Sequence, residues 1–283
     1  PGVVYGLIGP NGAGKTSIIK AVAHVLEPTY GRIRVAGIDL MDDPSAALAR
    51  IGYMPDFPPL YEDLTVHEFL ELFASAYRLP PETRRPRIAA LLDKVSLSAK
   101  RDSLTGGLSR GMKQRLFLAK TLLHDPDVLL LDEPASGLDP KARLELRDVI
   151  VELGRRGKAV LVSSHILAEM ADFCSAVGIM EQGRMLVSGP IQEILQRLRP
   201  GLTVHLRLLH ADDRLGGFLA ARPGVSRIAV DGANAVFQLD GDGAMACALL
   251  KSLVEAGLPV TAFYEQSGNL QDIFLEMSTG RVV

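Results

Sequence analysis

The chain has 283 residues, 47% of them hydrophobic and 23% charged, which are the proportions of a soluble globular protein long enough for two domains of unequal size. Its 31 basic and 33 acidic residues give a net charge of −2, which excludes the global basic field that draws a protein to nucleic acid, and 5% aromatics with no tryptophan argue against stacking platforms for single strands. The two cysteines, Cys174 and Cys247, stand far apart with no C-x-x-C pair, which excludes a disulfide framework or a zinc site and fits reduced thiols in a cytoplasm.

Val3 to Ile8 is apolar and β-prone and reads as a buried strand. Gly9-Pro10-Asn11-Gly12-Ala13-Gly14-Lys15-Thr16 follows and fits G-x-x-x-x-G-K-[ST]. After it, Ile18, Ile19, Val22, Val25 and Leu26 recur at helical spacing. The order strand, Gly-rich turn, helix is what phosphate binding requires. Glycines let the backbone wrap closely around a polyanion. The freed N–H groups and the helix N-terminus then present partial positive charge to phosphate oxygens. Gly9 through Thr16, with Ser17, form the expected nucleotide-binding set; Lys15 should reach the β- and γ-phosphates and the Thr16 hydroxyl should hold Mg²⁺. With Pro1 as first residue and the loop beginning at Gly9, residues N-terminal to the chain as given are expected.

Up to about Pro200, strand-like and helix-like segments alternate, which favours a parallel α/β sheet. Arg32 to Gly37 reads as a strand ending in a turn. Ile51 to Pro55 is a short strand stopped by proline, followed by the stiff loop Asp56 to Tyr61. From Val66 to Leu122 strand signals vanish, and three apolar stripes appear at helical spacing: Phe69, Leu70, Phe73, Ala76; Ile88, Leu91, Leu92, Val95; and Leu116, Leu118, Ala119, Leu122. The spacing predicts a helical insertion between two strands. Within it, Ser109 and Gly111 place a hydroxyl and a bare backbone at a helix N-terminus, either a capped surface helix or a second anion site.

Val128-Leu129-Leu130-Leu131 is a central parallel strand ending in Asp132-Glu133. Carboxylates at that end lie where α/β sheets place ligands. Asp132 can hold Mg²⁺ through water, and Glu133 can orient and deprotonate a water attacking a γ-phosphate. Ala142 to Leu153 is an amphipathic helix and Ala159 to Ser164 another buried strand. Val177 to Met180 and Met185 to Val187 flank Gln182-Gly183, a hairpin at the sheet edge. Arg197 to Gly201 reads as a linker. Beyond it come a strand (203–209), a helix (212–221), a strand pair (225–230 and 235–239), a helix (244–255), a strand (260–264) and a last helix (270–275). This βαββαβ order suggests a small ferredoxin-like module.

Together these residues resemble the ATP-binding cassette (ABC) ATPases. Gly9–Thr16 looks like Walker A and Leu108–Gln114 like the signature sequence. Leu129–Pro134 looks like Walker B with the catalytic Glu133, Ser136–Asp139 like the D-loop, and His165 like the switch histidine. The resemblance implies an α/β phosphate-loop NTPase cassette over residues 1–199, its start truncated, with a parallel-sheet core and a helical subdomain at about 66–122. A C-terminal α+β accessory domain follows at 202–283. It implies ATP hydrolysis with Glu133 and His165 as catalytic residues, ATP and Mg²⁺ as cofactors, and Thr16, Asp132 and Asp56 near the metal. Two copies would stack head to tail, with Ser109 and Gly111 of one facing Walker A of the other and Asp139 coupling the sites.

Asp56 stands where the family carries its Q-loop glutamine, so details of Mg²⁺ coordination are open there. Arg110 replaces a signature glycine. Met54-Pro55-Asp56, Leu108–Gln114 and the ending Leu270–Leu275 look like the type-2 exporter group, in which the pore is a separate polypeptide. No apolar run in this chain approaches the ~18 residues of a spanning helix. The expected partners are therefore transmembrane permease subunits, received at Phe57–Tyr61, and a second ATPase subunit, at the cytoplasmic face of the membrane. A cassette acting on nucleic acid and an ATP-gated scaffold without turnover are the competing readings; the near-neutral charge counts against the first, and Glu133 with His165 against the second.

Overall fold

The computed structural model describes residues 2–57, 59–166, 170, 173–197 and 202–266. The chain divides into two compact units, residues 1–191 and 192–283. The first is built on a six-stranded sheet. In chain order its strands are β1 (Val4–Ile8), β4 (Ile51–Met54), β5 (Val128–Leu131), β6 (Ala159–Ser164), β7 (Ala176–Glu181) and β8 (Arg184–Pro190), and in space they run β4-β5-β6-β1-β7-β8. Five are parallel and β8 closes the edge antiparallel to β7. Parallel strands buried on both faces need uninterrupted apolar runs. The sequence supplies them: Leu129, Leu130 and Leu131 are at most 1% exposed. Truncating one of them to alanine would cost about 2–5 kcal/mol.

The parallel order brings four strand ends to one edge. Register pairs Ile8 with Ser164, and Met54 with Leu131. The loops after β1, β4, β5 and β6 therefore leave side by side, which is where open α/β sheets bind ligands. Helix α1 (Lys15–Val22) starts directly after the first loop. It is shorter than the apolar spacing suggests. His24, at φ 56, ends it, and the N–H groups of Val25 and Leu26 turn back to the Lys20 carbonyl. Val25 and Leu26 are exposed, so of the predicted stripe only Ile19 is fully buried. A small hairpin, β2 (Arg34–Val35) and β3 (Ile38–Asp39), turns at Ala36-Gly37 with φ of 50 and 83; its second strand was not legible in the sequence. The short helix α2 (Pro44–Leu48) leads to β4.

The predicted insertion lies between β4 and β5. It holds α3 (Val66–Ala76), α4 (Pro81–Lys94) and α5 (Arg110–Thr121). Thr65 starts α3 with a reciprocal capping box to Glu68. All of Ile88, Leu91, Leu92, Val95, Leu116, Leu118, Ala119 and Leu122 are buried, as the stripes require; Ala76 is exposed, and Val66 and Ala74 take its place on the buried face of α3. Asp139 caps α6 (Pro140–Arg155) through its side chain, with Pro140 at the first helical position. β7 and β8 form the predicted hairpin around Gln182-Gly183, both at positive φ.

The second unit begins with most of α7 (Ile191–Arg197). Its four strands are β9 (Leu202–Leu208), β10 (Val225–Asp231), β11 (Asn234–Leu239) and β12 (Val260–Gln266), all antiparallel, in the order β10-β11-β9-β12. With α8 (Arg214–Ala220) and α9 (Gly243–Glu255) between strands, this is the ferredoxin-like arrangement. Val204, Leu206, Leu208, Phe237 and Leu239 pack with Leu215, Leu219, Leu249 and Leu253 into one core. The last helix expected at 270–275 lies outside the described residues. Both cysteines are free; burial pushes the Cys174 thiol up to about 12, and Cys247 is exposed.

Candidate active site

The loop after β1 is held open by its own backbone. Gly12 and Gly14 sit at φ 82 and 100, a region L side chains rarely adopt. Gly9 has a different reason: a Cβ there would collide with the Met180 carbonyl oxygen on β7. The Ala13 N–H donates to the Pro10 carbonyl (3.1 Å), and the Gly183 N–H donates to the Ala13 carbonyl (3.0 Å), pinning the loop to the β7–β8 turn. Lys15 is 6% exposed and folds back, donating to the carbonyls of Gly9 (2.7 Å) and Pro10 (3.2 Å). Its Nζ lies 3.7 Å from Glu133 Oε1.

At the end of β5, Asp132 is almost fully buried and accepts from Ser163 Oγ (2.6 Å) and Thr16 Oγ1 (3.1 Å). Ser163 Oγ in turn accepts from the Glu133 N–H (2.9 Å). Ser163 was not singled out by sequence reasoning; its signal was a small polar residue at a strand end just before His165. Glu133 holds a left-handed backbone at φ 47, which costs free energy for a side chain and is found where function over-determines geometry. Its Oε2 accepts from His165 Nδ1 at 2.9 Å.

Asn11 to Ser17, Asp56, Glu133, Ser136 and His165 line one cleft of about 360 Å³, a volume suited to a small-molecule ligand. The structure thus brings together the phosphate loop, Asp56, Glu133 and His165, with Asp132 bonded to Thr16 beneath. Asp56 Oδ1 is buried and meets no hydrogen-bond partner among the described residues. Burial, then the charge of Asp132, pushes its carboxyl pKa up, while Arg110 and His165 pull the other way.

Three predicted residues lie elsewhere. Ser109 and Gly111 do not line the cleft. Ser109 caps α5, its Oγ accepting from the Met112 N–H at 3.3 Å, and the α-carbon of Gly111 faces Leu138. Asp139 caps α6 by accepting from the Ala142 N–H (2.9 Å). Gln114, at the end of the signature-like stretch, is buried with Oε1 unpartnered among the described residues.

A parallel sheet with this loop after β1, an acidic pair after β5, the next strand but one, and a helical insertion between β4 and β5 defines a phosphate-loop NTPase of the cassette type. Comparison with known proteins carries this further. The family profile described as "ABC transporter" matches residues 1–136, and one described as "ATP-binding protein DrrA1-3-like, C-terminal domain" matches residues 189–278. The chain is 36% identical to the uncharacterized ABC transporter ATP-binding protein YxlF of Bacillus subtilis, over 96% of this chain and 88% of that one. It is 32% identical to the Nod factor export ATP-binding protein I of Ralstonia nicotianae, over 99% of this chain and 86% of that one. Among solved structures it resembles an ATP binding subunit of an ABC transporter with a TM-score of 0.64 and 35% identity, covering 69% of this chain and 82% of that chain. The chain belongs to the ABC transporter ATP-binding protein family. It is the ATP-binding subunit of such a transporter, an ATPase coupled to transport.

Proposed function

We propose that this chain powers an exporter as a homodimer that closes around two Mg-ATP, with Glu133 and His165 as the reacting pair. The observation that carries the reading is the Glu133–His165 hydrogen bond of 2.9 Å over the Lys15 ammonium, in one cleft with the phosphate loop. In that reading, Lys15 exchanges the Gly9 and Pro10 carbonyls for β- and γ-phosphate oxygens. Glu133 accepts the proton of the attacking water, whose oxygen bonds the γ-phosphorus as the bond to ADP breaks. His165 holds the γ-phosphate and orients Glu133.

The donor set fits magnesium. Thr16 Oγ1 and Asp132 Oδ1, a hydroxyl and a carboxylate 3.1 Å apart, are hard oxygen ligands that would hold the ion, and Asp56, whose buried Oδ1 meets no partner among the described residues, lines the same cleft. When bound, Mg²⁺ neutralises charge on the transferring phosphoryl group. Asn11, Gly12, Thr16 and Ser17 of the cleft are exposed, and Ser109 and Gly111 lie off it, which supports a second copy completing each site and Asp139 standing between them.

Export and a membrane partner are supported by likeness to the Nod factor export protein and by two exposed aromatic side chains. No helix among the described residues is long and apolar enough to cross a membrane. Phe57 and Tyr61 are 76% and 57% exposed beside the helical insertion, a fitting seat for a permease subunit at the inner face of the membrane. Residues 1–199 are read as the ATPase domain, with its helical subdomain at about 66–122, and 202–283 as an appendage that supports the dimer or regulates it. Reconstitution of the chain with its permease in vesicles tests this. ATP-driven export that Glu133→Gln abolishes is expected; import, or ATP turnover untouched by the permease, contradicts it.

A further inference from the structure

Arg110, in the signature-like stretch, has a side chain that reaches into two other loops. Its guanidinium donates to Ser136 Oγ at 3.2 Å. The same group stands 5.7 Å from the ring centre of Phe57, a cation–π distance. It also fills the space above Gly137, where a Cβ would lie 2.6 Å from its carbon. Gly137 is at φ 69, so glycine suits the position twice, for its backbone and for the guanidinium lying on it.

The placement matters because of what each loop does. Asp56 and Ser136 line the nucleotide cleft of this copy. Ser109 and Gly111 flank Arg110 at the start of α5, off that cleft. We propose that Arg110 is a positioning residue that ties the start of α5 to the rim of its own cleft, so that Ser109 and Gly111 are set for a partner's nucleotide by the loops that surround this copy's own. The idea rests on the reading of the cleft as the ATPase site. A planar fork with a flat face can bond one loop and stack on another at once. A lysine ammonium cannot, and the glycine usual in the family's signature would leave the loops unconnected.

The test is steady-state ATP hydrolysis by the full chain with its permease. Arg110→Ala should lower kcat about tenfold with KM for Mg-ATP within about twofold, since the residue does not line its own cleft. Arg110→Lys should recover only part of that loss. Gly137→Ala provides a second arm. Its backbone strain is common to both backgrounds, so it should lower kcat further when Arg110 is present than when Arg110→Ala has removed the guanidinium. An Arg110→Ala enzyme with wild-type kcat, or one that loses thermal stability alone, overturns the proposal, as does an equal Gly137→Ala effect in both backgrounds. Glu133→Gln run alongside separates the two ideas: an inactive Glu133→Gln beside a fully active Arg110→Ala defeats the role of Arg110 and leaves the site reading standing.

Discussion

Glu133 and Lys15 face each other across 3.7 Å, the carboxylate on a left-handed backbone and the ammonium tied to two loop carbonyls. Each is held by something other than its partner: Glu133 by His165 and the Ser163 hydroxyl, Lys15 by Gly9 and Pro10. Glu133 is therefore set in place by its own neighbours, which is the preorganisation that phosphoryl transfer uses, while Lys15 is held on the loop carbonyls that phosphate oxygens would replace. Replacing Glu133 with glutamine keeps the shape and removes the base. Glu133→Gln should bind Mg-ATP within a few-fold of wild type while phosphate release falls by about a hundredfold or more. Wild-type release would show that Glu133 is not the base.

Ser163 carries the second prediction. Its hydroxyl joins Asp132 Oδ1 to the Glu133 N–H, and it is wholly buried. Ser163→Ala leaves the N–H of a strained residue without a partner and removes a donor from a buried carboxylate. It should cost about 1–3 kcal/mol of stability, and it should raise the Mg²⁺ concentration needed for half-maximal turnover. Denaturant unfolding and a magnesium titration read the two effects; an unchanged variant would mean that Asp132 is oriented by Thr16 alone.

Gly9→Ala probes the close approach of the phosphate loop to β7. The added methyl meets the Met180 carbonyl, which belongs to a paired strand and yields little. A loss of about 1–3 kcal/mol is expected, with ATP affinity lowered as the loop shifts. Gly31→Ala tests a different constraint: its added methyl meets open space, although φ 100 disfavours alanine, so the cost there is backbone strain alone. If both variants bind ATP as wild type does, the packing argument at Gly9 fails.

Asp56 yields a pH signature. Burial and Asp132 raise its carboxyl pKa, so the folded chain holds that proton more tightly than the unfolded chain. Such a group weakens the fold as pH rises from the ordinary carboxylate range through the raised value, and the penalty is complete above it. Asp56→Asn should therefore raise the unfolding midpoint at neutral pH, and the gain should fade as pH falls through the ordinary carboxylate range and vanish about one pH unit below it, where both states are protonated. A gain that stays constant between those pH values would point to packing instead of charge.

The elements that were legible before the structure are those whose signal is local. The phosphate loop, the leucine run ending in Asp132-Glu133, the stripes of α4 and α5 and the Gln182-Gly183 turn each carry their pattern within a dozen residues. The βαββαβ rhythm sufficed for the second unit because hairpin and crossover rules leave few sheet orders. What escaped depends on partners distant in sequence. Val25 and Leu26 look like a helix face but follow the turn at His24. Val35 and Ile38 pair across two residues at positive φ, one of them Ala36, which gives no such warning. Ser163 and Arg110 gain meaning only beside Asp132 and Gly137, 31 and 27 positions away.

The central claim is that one copy leaves its nucleotide exposed until a second closes over it. Light scattering of Glu133→Gln at 30.5 kDa per chain measures this directly. With saturating Mg-ATP the mass should double, and Ser109→Arg or removal of magnesium should return it to that of one chain. Glu133→Gln that binds Mg-ATP and stays a single chain, both alone and on its permease, would contradict the account.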